Sequence, residues 1–300
     1  MSKTPLQQKL RSKQQLIQQI RDYFALLKVT EVFTEHLSSS CGTDVHIEPF
    51  KIAKERLFLH TSPEFAMKKL LAKGSGDIFQ ICQVYRQETE GNWHKKEFQM
   101  LEWYRVGWSI EMLIKESINL IQKIYGKCEI KYFSTKQACE EFANWSPWQA
   151  HALSIAQEKW PTGPGQDCLA TWFDYVMVEY IEPNIKNKGL VVLFDFPKTH
   201  ASLAKLAKKD NIIVAERFEI YLNGVELANG FAELNDPIEQ QQRFNEDLAT
   251  RKSLNLSCLP IDFELLKSLE TLPDCCGVAL GIDRLLAIKA NSNLIELRNH

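Results

Sequence analysis

The sequence predicts an α+β domain built on an antiparallel sheet flanked by helices. Two observations carry that prediction. Strand-like stretches come in pairs joined by polar turns, at 78–106 and at 212–231, the second turning at Asn223-Gly224, the strongest short hairpin signal a sequence offers. Between them, apolar residues recur every three or four positions, as on helices with one buried face. The regular strand–helix–strand alternation of a parallel sheet is missing. A length of 300 residues gives a prior of two domains. No linker, internal repeat or low-complexity run divides the chain, so a single domain over 1–300 is expected.

Taken in order, Leu16, Ile20, Tyr23, Phe24 and Leu27 set a helix between Leu6 and Lys28. Extended Val29–Phe33 and a polar loop, Ser38–Thr43, follow. Ser62-Pro63-Glu64 reads as a helix start, with Ser62 as cap, Pro63 in the first turn and Glu64 at the positive end; the helix stops at Gly74. Residues 78–88 and 97–106 form the first hairpin around the polar loop Thr89–Lys96. Glu111 to Tyr125 is helical, and 134–182 is mostly helical. A strand at 189–196, the second hairpin, a charged helix over Glu239–Lys252 and a last helix from Ile282 to about Ala290 complete the chain.

Composition narrows the class of protein. The chain is 45% hydrophobic and 25% charged, which excludes disorder, collagen and coiled coil. With 36 basic against 38 acidic side chains, nucleic-acid backbone binding is not its main business. No apolar run reaches the ~18 residues of a membrane span, and the N-terminus lacks a secretion signal. The eight cysteines have no metal-type pairing, and adjacent Cys275-Cys276 would make a strained bridge. Reduced thiols in a cytoplasmic protein are expected.

Chemistry gathers on the two hairpins. Alternation puts Arg86 and Glu88 on one face of their strand, and Phe98, Met100, Glu102 and Tyr104 on one face of the next, a poor core and a good site floor. His94 with Lys95 and Lys96 in the connecting loop suits a polyphosphate. In the second hairpin, pairing outward from Asn223-Gly224 matches Leu222 with Val225, Tyr221 with Glu226 and Glu219 with Ala228. Glu219 and Glu226 then share a face as diagonal neighbours about 7–8 Å apart, and Mg²⁺ with phosphate oxygens fits between them. Two exposed glutamates held apart by water is the plainer alternative. Strict pleating turns Asn229, Phe231 and Glu233 to the other face, unless a bulge near Gly230 brings them back. Gly277–Gly281 running into Ile282-Asp283-Arg284 lets backbone approach a ligand while an arginine reaches an anion. The lysines 68, 69, 95, 96, 205, 208 and 209 read mostly as solvated faces, except Lys95 and Lys96.

These pieces stand in a familiar order. Tyr85-Arg86-Gln87-Glu88, His94 and Phe98-x-Met100-Leu101-Glu102-Trp103-Tyr104 resemble motif 2 of class II aminoacyl-tRNA synthetases, and Gly277–Arg284 resembles motif 3. Thr61-Ser62-Pro63-Glu64 and the segment from Glu216 to Leu234 are similar to lysyl-tRNA synthetases. The likeness runs from about residue 10 to 290, with no room for an anticodon-binding domain. Ile181-Glu182-Pro183-Asn184-Ile185, Ala201-Ser202-Leu203-Ala204 and Pro273-Asp274-Cys275 look like the stand-alone paralogues that ligate (R)-β-lysine to a lysine of elongation factor P.

The resemblance implies a class II synthetase-like catalytic domain that uses ATP and Mg²⁺, acts on elongation factor P rather than tRNA, and works as a homodimer. It assigns Arg86 to the α-phosphate and Arg284 to the γ-phosphate. Phe98 would stack on adenine, with Glu88 and His94 also on the nucleotide. Glu219 and Glu226 would hold Mg²⁺. Glu64 would take the backbone-type amine, and Glu102, Tyr104, Asn229, Phe231 and Glu233 would line the amino-acid pocket, Tyr104 and Glu233 meeting the side-chain ammonium. Ala279 stands where lysyl-tRNA synthetases have glycine, and its methyl would shorten the pocket. Glu35 replaces the usual motif 1 proline at the dimer interface. Two other readings stay open: a lysine-activating enzyme with a different acceptor, and an inactive accessory subunit.

Overall fold

The computed structural model describes residues 5–165 and 168–297. It resolves into two compact units, Met1–Gly126 with Glu233–His300, and Lys127–Ala232.

In the first unit the strands run in the order Thr30–Glu31, Ile78–Tyr85, Glu97–Val106, Cys275–Gly281. The first pair is parallel and the others antiparallel. Period-2 alternation divides this sheet into two chemically different faces. Phe79, Leu101, Trp103, Val278 and Leu280 lie on one, matched across the strands by register. The Pro5–Leu26 helix covers them, its Phe24 stacking on Phe79 at 4.6 Å and standing 5.5 Å from Trp103. The Ile110–Tyr125 helix belongs to the same unit, burying Leu113, Leu120, Ile121 and Ile124 at helical spacing. Its Glu116 accepts hydrogen bonds from Trp103 Nε1 at 2.9 Å and from the guanidinium of Arg105, which also reaches Asp77 at 2.9 Å. The opposite face carries Gln80, Cys82 and Val84, then Phe98, Met100, Glu102 and Tyr104, then Gly277, Ala279 and Gly281. Polar Gln80, Glu102 and Tyr104 thus share one surface with a small apolar cluster of Cys82, Val84, Met100 and Phe98.

The second unit orders its strands Val225–Ala232, Ile212–Leu222, Leu190–Pro197, Ile130–Ser134, with Leu206–Lys209 also on Ile212–Leu222. Only the Ile130–Ser134 pairing is parallel. Trp145, Trp172, Phe173, Ile181, Val191, Leu193 and Phe196 form its core. Gly189 sits at φ +74°, and a β-carbon there would come within 2.8 Å of the Glu129 carbonyl, so only glycine fits this strand entry.

The Asn223-Gly224 turn has positive φ at both residues, 53° and 79°, as a type I′ hairpin requires. Leu222 pairs with Val225 and Tyr221 with Glu226, as expected. Beyond that the register shifts, and Glu219 faces Asn229 instead of Ala228. The extra residue falls at Leu227, not near Gly230. It sets consecutive Leu227 and Ala228 on the same face of the sheet, which a strict pleat forbids.

Other boundaries also moved. The first strand of the first hairpin ends at Tyr85, so Glu88 lies beyond the pleat that was to align it with Arg86. Of Val29–Phe33 only Thr30–Glu31 pairs. The stretch 134–182 breaks into Thr135–Ala143, Ala152–Lys159, Leu169–Val176 and a π turn at Met177–Ile181 before Glu182–Ile185. The Ile282–Lys289 helix is followed by one more short turn, Leu294–Leu297. Pro63, not Ser62, occupies the N-cap position of the Glu64–Ala72 helix. All eight cysteines are free, and Cys275 and Cys276, adjacent on one strand, point to opposite faces. Among the described residues no helix is long and apolar enough to cross a membrane.

Glu116 and Arg105 are both buried, so removing one partner strands the other's charge. Glu116→Ala is expected to cost about 3–5 kcal/mol of stability, read as a lowered urea midpoint at unchanged m-value.

Candidate active site

The polar face of the first unit's sheet is floored by small residues. Gly277, Ala279 and Gly281 lie directly across from Tyr104, Glu102 and Met100. A β-carbon on Gly277 would overlap the Tyr104 ring and Glu233 Oε1. Glycine is thus what lets the Tyr104 ring and the Glu233 carboxylate close over the strand. Glu102, only 2% exposed, accepts from Ser62 Oγ and from Tyr104 OH, each at 2.6 Å. Ser62 also accepts the Glu64 amide N–H at 3.0 Å, so it links the helix start to the floor of the site.

Lys68 overturns its sequence reading. It is 1% exposed rather than solvated, and its Nζ lies 2.7 Å from Glu64 Oε1 and 2.5 Å from Glu233 Oε2. The signal was present in the sequence, since Glu64 and Lys68 are i and i+4 on one helix. Lys69 and Lys209 are likewise engaged, with Asp262 at 2.7 Å and Asp195 at 2.8 Å.

Burial decides the electrostatics here. It pushes the Glu102 carboxyl up to about 7, helped by the nearby Glu64 and opposed by Ser62, Tyr104 and Lys68. It pushes Glu233 up to about 8, with Lys68 pulling down and Glu64 and Glu102 pushing further up. Tyr104 is raised well above the ordinary phenol by burial and these carboxylates. Lys68 is raised despite burial, because Glu233 and Glu64 outweigh desolvation.

Two arginines lie toward the Phe98 end of the same sheet. The Arg86 guanidinium sits 5.3 Å from the Phe98 ring centroid, donates from Nε to the Thr61 carbonyl at 3.2 Å and lies 3.8 Å from Glu88. Arg284 folds back over Gly281 and donates from Nε to the Trp93 carbonyl at 3.0 Å. Asp283 beside it accepts the Gln99 amide at 3.0 Å and Lys13 Nζ at 3.1 Å, tying the helix start to the strand that carries Phe98. His94 is exposed in the loop between the strands, where its amide and carbonyl meet those of Gly91.

In the second unit the bulge brings Glu226, Asn229 and Phe231 to one face, across from Tyr221, Glu219 and Arg217. Arg217 donates to Glu219 Oε1 at 2.6 Å and to Asn229 Oδ1 at 3.1 Å, and its guanidinium lies between the Phe196 and Phe231 rings, at 4.6 and 5.8 Å. Tyr221 OH donates to Glu219 Oε2 at 2.7 Å. Burial raises the Glu219 carboxyl, Arg217 opposes it, and Glu226 adds to the rise. Two carboxylates that feel one another, with each Glu219 oxygen keeping a second lone pair beyond its one hydrogen bond, form a hard-oxygen donor set suited to Mg²⁺. Among the described residues no group of three or more potential ligands gathers, so such an ion would need phosphate or water to complete its shell. Arg217 was not singled out from sequence, although its place two residues before Glu219 sets both on one face.

Comparison with known proteins identifies the family. The family model for class II tRNA synthetases (D, K and N) matches residues 1–297. The chain belongs to this family. Its similar relatives include the "Elongation factor P--(R)-beta-lysine ligase" of Haemophilus ducreyi, 38% identical over 96% of this chain and 92% of the relative. Proteins of the same name from Mannheimia succiniciproducens, 39% identical over 94% of this chain and 90% of the relative, and from Vibrio campbellii, 37% identical over 98% and 95%, are similar too. In this class II chain the motif 2 residues fall on the Ile78–Tyr85 and Glu97–Val106 hairpin. The motif 3 residues fall on Cys275–Gly281 and the helix after it.

Carboxyls held near 7 and 8 are partly protonated at neutral pH and must ionise to receive an ammonium group. Binding of an ammonium-bearing ligand by these carboxyls is therefore expected to release protons and to weaken as pH falls from 8 to 6. Calorimetry in buffers of different ionisation enthalpy checks this.

Proposed function

We propose that this chain activates (R)-β-lysine with ATP as an aminoacyl-adenylate and transfers it to a lysine side chain of elongation factor P. The observation that carries the reading is the set of two buried carboxylates, Glu102 and Glu233, and the half-buried Glu64 around one internal ammonium, Lys68. A site so rich in anions calls for a ligand with two positive ends. The relatives' shared name supplies the identity of that ligand and of its acceptor.

In this reading Glu64 takes one amine, while Glu233, Tyr104 and Glu102 receive the other. Asn229 and Phe231 are the second unit's candidate amino-acid-binding residues, and the Ala279 methyl, across from Glu102, shortens the first unit's pocket. Arg86, Glu88, His94, Phe98 and Arg284 bind the nucleotide. Glu219 and Glu226 would hold Mg²⁺, which supplies charge neutralisation for the phosphates.

Activation needs no general base. A substrate carboxylate oxygen attacks the α-phosphorus and pyrophosphate leaves, so alignment and neutralisation of growing negative charge are the whole task. The acceptor amine then attacks the acyl carbon, AMP departs, an amide forms and the amine gives up its proton. The residues serve one cytoplasmic catalytic domain that works as a homodimer without tRNA. Phe33, 79% exposed, and exposed Leu37 flank Glu35 and offer apolar surface for the dimer.

The deciding experiment incubates the protein with ATP, Mg²⁺ and elongation factor P, offers (R)-β-lysine or α-lysine in parallel, and weighs the factor. Addition of one lysyl group with (R)-β-lysine is the expected result. Addition only from α-lysine, or only to another acceptor, supports a different ligase; no amino-acid-dependent pyrophosphate exchange means an inactive subunit. Arg86→Ala or Arg284→Ala should slow adenylate formation by about 10²–10³-fold, as removal of a charge-stabilising donor does elsewhere, measured by pyrophosphate exchange.

A further inference from the structure

The proposed chemistry leaves Lys68 without a role, yet no other lysine among those weighed from sequence is so completely buried. Lysine is rarely enclosed unless its charge is needed. Its ammonium touches one oxygen of each of two carboxylates, Glu64 Oε1 and Glu233 Oε2, and each keeps its second oxygen. Glu233 Oε1 is the oxygen set over Gly277, on the floor of the pocket.

We propose that Lys68 acts as a built-in counter-ion that sets the charge of the amino-acid pocket, so that Glu64, Glu102 and Glu233 can all be ionised when a diamino acid binds. This rests on the reading of the pocket given above and deepens it. Three carboxylates and one ammonium leave two negative charges, which the two ammonium ends of the substrate cancel while its carboxylate is turned to the nucleotide. Without Lys68 the pocket would have to hold three negative charges, those of Glu102 and Glu233 fully buried, and at least one of these two carboxyls would keep its proton. A protonated carboxyl cannot accept from an ammonium with the strength of a charged pair. The groups that face Lys68 and feel its charge are Glu64, Glu102 and Glu233, with Tyr104 closing the network through Glu102. Lys68 is thus a positioning residue, acting through the carboxylates and not on the reacting atoms.

The test compares Lys68→Met, which keeps the buried stem, with Lys68→Ala, which opens space for a small cation. For Lys68→Met the KM for the diamino acid should rise about 10²-fold, the size of an uncompensated buried charge, while the KM for ATP changes little. The acid limb of kcat/KM should move to higher pH, because loss of the ammonium raises Glu102 and Glu233 further. Methylammonium should restore Lys68→Ala and leave Lys68→Met unchanged. If Lys68→Ala is too unstable to assay, the same contrast is read from its melting temperature. Variants with the wild-type KM and pH profile, or methylammonium without effect on Lys68→Ala, overturn the role of Lys68. Failure of the wild type to form an adenylate from any diamino acid overturns the preceding reading instead.

Discussion

The requirement that buried charge be matched organises the first unit. Glu102 and Glu233 are enclosed almost completely, and so is Lys68. Isolated, any of them would cost several kcal/mol to bury. Together they hold one another, and the surrounding sequence serves that arrangement. Ser62 and Tyr104 each give Glu102 a hydrogen bond at 2.6 Å, and Gly277 withholds the side chain that would force Tyr104 and Glu233 apart. The compensation is deliberately incomplete: two carboxyls remain raised, at about 7 and about 8. A site left short of positive charge favours a cationic ligand, and this shortfall is what supports the proposed diamino acid.

The second unit solves the same problem with different parts. Glu219 is buried, but its two oxygens are satisfied by Arg217 and Tyr221, and Arg217 is itself held between two phenylalanine rings. Here the charge is held by cation–π contacts and charged hydrogen bonds rather than by an enclosed ammonium. The bulge at Leu227 is what makes the constellation possible. One added residue changes which side chains share a face, so Glu226 and Asn229 stand on the same side although an odd interval separates them.

Much of this was legible from sequence, and the failures have identifiable physics. The returning strand, Glu97–Val106, and the Asn223-Gly224 turn were readable because they depend on local alternation and on backbone conformations few residues adopt. The motif residues of the first unit were found because period 2 alone sorts Phe98, Glu102 and Tyr104 to one face. The bulge is readable in kind but not in place, since it falls at Leu227, where no glycine marks it. Lys68 was misread for a similar reason. Charge predicts exposure on average, and only the spatial meeting of Glu64 with Glu233, 169 residues apart in sequence, reverses it.

That misreading bears on how such sites are recognised. Carboxylates near arginines are an obvious signature of nucleotide and amine binding, and sequence patterns catch them. The counter-charge that keeps several carboxylates ionised in one enclosed space is less visible, because it touches no substrate. Yet it decides their protonation, and protonation decides whether they attract an ammonium or only accept a neutral hydrogen bond. For a reaction that needs no proton transfer to begin, the chemistry reduces to holding charges in the right number and place. In such an enzyme a buried lysine that meets no reactant belongs to the recognition apparatus as fully as the glutamates it steadies.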